Sequence, residues 1–205
     1  KLGLKVSFDT TGSTLAIGER YFDDTSSNDV GRILVKTIAS TSNGEAAVSA
    51  KGSDIKGTSS SDHTGSSVMI SGNGNCLIFG STGDDGANNN APQMGSASIY
   101  CFDSGSNWSA RAVLHGDAAG DEFGSSVAIN NDGTYIAVGA IKYDDASAAP
   151  PEASRSSAAS SDHISEKLTM ACAPLEQLDK RIRSPARKRD DPRKRSNAPK
   201  RESPL

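Results

Sequence analysis

Three segments of this chain are copies of one pattern in one register. They read VSFDTTGSTLAIG from Val6 to Gly18, VMISGNGNCLIFG from Val68 to Gly80 and VAINNDGTYIAVG from Val127 to Gly139. Glycine precedes each block at Gly3, Gly65 and Gly124. It recurs at the turn position as Gly12, Gly74 and Gly133, and closes each block as Gly18, Gly80 and Gly139. A unit that recurs at about sixty residues cannot be read as an ordinary single-copy domain; it implies stacked repeats.

Each block is β in character. TLAIG, CLIFG and YIAVG are short apolar runs bounded by turn residues, as buried strands are. Asn73-Gly74 and Asp132-Gly133 suit hairpin turns that need positive φ. GRILVKTI from Gly31 aligns with GSASIYCF from Gly95, and AAVSA near Val48 and SARAVL near Val113 supply a fourth strand. Four short strands in about sixty residues is the size of a propeller blade. Such a sheet is apolar on both faces and must stack on a neighbour.

The expected fold is all-β: an incomplete β-propeller of two to three four-stranded antiparallel blades, followed by a largely disordered C-terminal tail. The repeat region is 1–148, with blade 1 at about 2–56, blade 2 at about 64–115 and a partial blade 3 at about 123–148. Closed propellers have about four to eight blades, so one copy of this chain does not close a ring. Either it belongs to a longer protein or copies associate. Abundant glycine (20 residues) and sparse aromatics (5%) agree with a loop-rich β protein.

The net charge of −3 hides an acidic repeat region and a basic tail. Residues 149–162 are rich in Ala, Ser and Pro and read as a linker. In 163–205, Ile164, Leu168, Ala171, Leu175 and Leu178 mark a short helical face that Pro174 interrupts. Beyond it lie the clusters Arg187-Lys188-Arg189 and Arg193-Lys194-Arg195, a pattern for polyanion binding or nuclear import. Without interleaved aromatics, a solvated disordered end is the plainer reading, and nucleic acid would bind only through this tail. No run of eighteen apolar residues predicts a membrane span, and no signal-like segment is visible at Lys1, so export is not readable.

At Phe123-Gly124 and Gly139-Ala140 the chain resembles the FG-GAP repeat family, the blades of integrin-α-type β-propellers. Thr64-Gly65 with Gly80-Ser81, and Leu2-Gly3 with Gly18-Glu19, are degenerate copies. The resemblance implies a non-catalytic binding or adhesion module in a larger cell-surface or secreted protein. Its ligand, a protein or glycan, would sit on the loops of one rim. Two alternatives stand beside it: an intracellular scaffold whose tail binds nucleic acid or acidic partners, and a fragment of an enzyme with a propeller domain.

The family often carries a calcium loop between its first two strands. Here those loops, FDTTGST, ISGNGNC and INNDGTY, hold at most one carboxylate each, too few for a hard cation. The next loops offer Asp23, Asp24, Asp29, Asp84 and Asp85 as weaker candidates, but their spacing fits solvated turns better, and no cofactor is expected.

Little else in the sequence points to chemistry, and the chain is not expected to be an enzyme. His63, His115 and His163 do not fall at equivalent repeat positions. Asp62-His63 looks catalytic, yet Asp121 occupies the matching place without a histidine, which argues for turn capping. Trp108 is expected to pack on an adjoining blade rather than anchor a partner. Asn107 heads a glycosylation sequon. Cys76 and Cys101 fall on two arms of one hairpin. They either bond in an oxidising compartment or stay as two free buried thiols, the plainer expectation.

Overall fold

In the computed structural model, residues 5–86, 89–104 and 106–143 are described, and every regular element among them is a β-strand. The first sheet holds β1 (Lys5–Phe8), β2 (Thr14–Glu19), β3 (Arg32–Ser40) and β4 (Ala46–Ala50), with β5 (Ile55–Lys56) also on β3. The second holds β6 (Thr64–Ile70), β7 (Cys76–Ser81), β8 (Ser96–Phe102) and β9 (Trp108–His115). The third shows β10 (Phe123–Ile129) and β11 (Ile136–Ala140). All strand pairings are antiparallel and, apart from β5 on β3, sequential, so each sheet is a meander, and the three make an incomplete propeller. The linker, the basic clusters, Asp144, Asp145, Gly3, His163 and Cys172 lie outside the described residues.

Alternation along the strands sends each sheet's apolar residues to two faces. Between the first and second sheets, Ala16, Ile33, Val35 and Ile55 meet Val68, Ile70, Leu77, Phe79 and Trp108. Between the second and third, Ile78, Ala97 and Ile99 meet Phe123, Ile129, Ile136 and Val138. Each fully buried aliphatic or aromatic side chain contributes about 1.5–3 kcal/mol. The core therefore lies between sheets and not within one.

The recurring glycines let the sheets approach. A methyl on Gly65 would lie 2.9 Å from Cα of Gly18, and one on Gly124 would lie 2.9 Å from Cα of Gly80. Real Cβ atoms do not approach backbone so closely, so the contact admits no other residue without movement. Beside these contacts, Gly31 bridges Thr64 and Gly95 bridges Phe123, both in parallel sense. At the opposite end the hairpin turns touch: Thr10 N–H donates to Gly72 O at 3.0 Å, and Asn73 N–H to Asn131 O at 2.9 Å.

The fourth strand differs between blades. In blade 2, β9 runs unbroken through eight residues. In blade 1 its counterpart is split into β4 and β5, with Lys51–Asp54 between them. There the Lys51 N–H still bonds to Val35 O at 2.9 Å, while its Nζ crosses to Gly74 O of blade 2 at 2.8 Å. Gly52 adopts φ +78°, and Trp108 fills the space beside it, its indole N–H donating to Lys51 O at 2.7 Å. Phe102 meets Trp108 edge-on at 5.2 Å between ring centroids. The tryptophan thus packs on the blade before its own.

Cys76 and Cys101 stand directly opposite in the β7–β8 register and are joined by a disulfide, so they are not free thiols.

Candidate functional site at the loop rim

Two kinds of loop reach one rim of the stack. The loops after the second strand of a blade, 20–31 and 82–95, lie against the loops that enter the next blade, 57–63 and 116–122. Backbone bonds zip them identically. Ser61, His63 and Thr64 N–H groups donate to Asn28, Asp29 and Val30 carbonyls at 3.0, 3.2 and 3.1 Å. Gly120, Glu122 and Phe123 donate to Pro92, Gln93 and Met94 at 2.9, 3.1 and 3.1 Å.

A buried carboxylate braces each entering loop. Asp62 Oδ2 accepts from the N–H groups of Thr58 at 3.0 Å and Ser59 at 2.8 Å. Asp121 Oδ2 accepts from Asp117 and Ala118 N–H, both at 3.1 Å. Their carbonyls take Gly83 N–H at 3.0 Å and Lys142 N–H at 3.2 Å, tying each loop to the following hairpin. Asp62 is therefore turned into its own loop.

The acidic loop residues are likewise committed to backbone. Asp23 Oδ1 accepts from Asp29 N–H at 2.8 Å, and Asp85 Oδ1 from Gln93 N–H at 3.0 Å. Both donors sit at positive φ, 52° and 54°, a strained turn that the carboxylate holds. Asp24 binds Thr25 N–H at 2.5 Å and Lys56 Nζ at 3.2 Å. Asp84 binds Gly86 N–H at 2.7 Å and Ser96 Oγ at 2.8 Å, with His115 Nδ1 at 3.8 Å. These carboxylates do not converge, and no group of three or more His, Cys, Asp or Glu among the described residues is arranged to hold a metal.

What the rim does bring together is a set the repeat pattern concealed. The His63 ring meets Tyr21 edge-on at 5.6 Å, and the Arg20 guanidinium lies 4.7 Å from the Tyr21 ring centroid. Glu122, which occupies the His63 position one blade on, pairs with Lys142 at 2.6 Å. Gly83 lies beside this ring: a Cβ there would strike Ser61 O at 1.8 Å and come within 3.1 Å of His63 Nδ1. Half-burial, and then the Arg20 charge, hold the His63 imidazole below its ordinary pKa against the opposing pull of Asp29, Asp62 and Glu122. It is neutral at pH 7.

Just below, at the end of β2, buried Glu19 accepts from Arg32 Nε at 2.6 Å through Oε2. Its Oε1, and Arg20 Nε beside it, are buried without a hydrogen-bond partner among the described residues. The exposed Asn107 uses its side-chain oxygen to accept from Ser53 N–H at 2.9 Å, across the contact between blades 1 and 2.

No curated protein matches the chain in sequence. Among solved structures it is similar to a periplasmic gluconolactonase of Pseudomonas aeruginosa, at 15% identity and a TM-score of 0.43. The similarity covers 68% of this chain and 37% of that one, so the chain spans little more than a third of that protein. The solved propeller is an enzyme. Two expectations drawn from the resemblance are corrected on that finding: that the chain is a non-catalytic binding or adhesion module, and that it is not an enzyme. The family model described as the FG-GAP repeat matches residues 108–159, from the last strand of blade 2 through the hairpin of blade 3. With Phe123-Gly124 seated on Gly80 and Gly139 closing the hairpin, the chain is a carrier of the FG-GAP repeat.

Proposed function

We propose that the chain is part of an enzyme with a propeller domain, and that substrate is met at the rim around His63. The observation that supports this is the neutral imidazole flanked by Tyr21 and Gly83, with the Arg20 cation on the Tyr21 ring. A neutral imidazole at pH 7 can take a proton from water. Water activated in this way adds to an ester or lactone carbonyl, the acyl carbon–oxygen bond breaks, and the proton passes to the leaving oxygen. Esters and lactones are therefore the substrate class to assay. The two aromatic and cationic neighbours orient the ring, and the braced loops fix its position without further folding.

The Cys76–Cys101 disulfide supports an extracellular or otherwise oxidising location, because thiols in the cytosol are kept reduced. It weighs against the intracellular scaffold.

The test is hydrolysis of p-nitrophenyl acetate and of an aldonolactone by the full chain and by its complete reading frame. His63→Gln should lower kcat/KM by about 100-fold or more, as loss of a general base does. Wild-type activity should also fall on the acid side as the imidazole protonates. A His63→Gln rate equal to wild type, or no hydrolysis of either compound by either protein, refutes the proposal.

A further inference from the structure

The outer edge of the first sheet is open, and the phase of its main chain says how it can be paired. Among the described residues β4 is the last strand of that sheet and meets only β3. Bonds from Lys51 N–H to Val35 O and from Thr41 N–H to Glu45 O fix that phase. Ala47 and Ser49 turn their N–H and C=O groups to β3, and Ala46, Val48 and Ala50 turn theirs outward. Every residue of β4 is exposed, and Val48 is 60% exposed. The strand has no charge, proline or bulge, the usual guards of a free edge. The last strand of blade 2 is guarded. Between Ala110 and Ala112 of β9, the exposed Arg111 is an extra residue at a break in the β8–β9 register.

We infer that β4 pairs edge to edge with β4 of a second copy of this chain, antiparallel and centred on Val48. A two-fold axis at that residue sets Val48 against the partner's Val48, and Ala46 against the partner's Ala50 at both ends. These are the residues whose groups point outward, so each pair exchanges both of its N–H···O bonds and none is left over. A register displaced by one residue sets outward groups against inward ones. Displaced by two, it sets Ala50 against Gly44 or Ala46 against Gly52, beyond the strand ends. The axis at Val48 also places Glu45 of each copy across from the partner's Lys51, so opposite charges meet at both ends of the joint. Glu45 makes no ion pair within its own chain among the described residues. The strand is thus complementary to itself in hydrogen bonds and in charge, which is why a second copy fits it better than an unrelated segment. The joint uses no residue around His63 and is independent of the reaction proposed there.

The test is sedimentation of the full chain across about a hundredfold range of concentration, over which a dimer should appear by mass action. In the dimer the amides of Ala46, Val48 and Ala50 should exchange at least about 10-fold more slowly than in the monomer, while those of Ala47 and Ser49 are held by β3 in both. Val48→Pro removes an outward N–H and no bond to β3, so it should weaken dimerisation at least about 10-fold while the chain stays folded. Val48→Lys sets like charges opposite each other and should do the same without touching the backbone, which decides the matter if the proline disturbs the blade. A chain that stays monomeric throughout leaves the edge to an extended segment of another protein and overturns the inference. A dimer that Val48→Lys does not weaken overturns it too, as does a dimer in which the three outward amides exchange as fast as in the monomer.

Discussion

Truncating Trp108 to alanine tests whether the blades are held by what lies between them. The indole is buried and shares the inter-sheet core with residues from both blades. Removing a buried aromatic of this kind costs about 3–5 kcal/mol. The loss includes the edge-on contact with Phe102 and the N–H bond to Lys51 O, which leaves a carbonyl at the seam without its donor. At about 2–4 °C per kcal/mol for a chain of this size, the midpoint should fall by roughly 6–20 °C. Trp108→Phe separates the parts: it keeps most of the apolar contact, loses the bond, and should cost about 1–2 kcal/mol. Far-ultraviolet dichroism against urea gives the stabilities, since this is the sole tryptophan and intrinsic fluorescence is lost with it. Hydrogen exchange should report faster opening at Gly52–Asp54 in blade 1, far away in sequence. If Trp108→Ala costs less than about 1 kcal/mol, or if opening stays confined to β8 and β9, the inter-blade account of the core is wrong.

Three further outcomes are expected. Gly80→Ala should destabilise by about 2 kcal/mol or more because its new methyl meets Gly124 backbone, while Gly139→Ala meets only the movable Ser126 hydroxyl and should cost less than half as much; urea midpoints for both compare them. Reducing the Cys76–Cys101 bond, which closes a sequence separation of 25, should remove about 3 kcal/mol, read as the difference between melts with and without reductant. His63 has a folded pKa below its ordinary 6.5, so the unfolded chain binds the proton first as pH falls. Its contribution is intact above about 6.5 and is lost as pH drops towards the folded value. His63→Gln should flatten that slope in melts between pH 8 and 5, and a wild-type profile with no fall in this window contradicts the burial of the ring.

Repetition made the hairpins and the glycine seams legible. A residue seen three times at one position reports a constraint imposed by neighbours, not by local propensity. Asp62 and Asp121 were readable for the same reason, because the acid recurs and the histidine does not. Three features escaped it. The break in the fourth strand at Lys51–Asp54 answers a tryptophan that only blade 2 carries, so no repeat partner predicts it. Asp23 and Asp85 each stand five residues past their closing glycine, but their shared role in holding a positive-φ N–H was hidden, because the held residue lies six positions on in the first loop and eight in the second. The surroundings of His63 come from Arg20 and Tyr21, about forty residues earlier, and a loop's tertiary partner leaves no local signal. The disulfide stood between two readings because register can oppose two cysteines but carries no information about compartment.

The interrupted edge of the first blade works as a lock cut for one key. Gly52 and Lys51 form the slot and Trp108, the sole tryptophan, is the tongue; among the described residues the slot has no counterpart in blade 2, where β9 runs through without a gap. Modules that look interchangeable from their hairpins are therefore ordered. Swapping the second and third blades, or duplicating the third beside the first, would strand an empty slot even though every strand and every seam glycine remained in place.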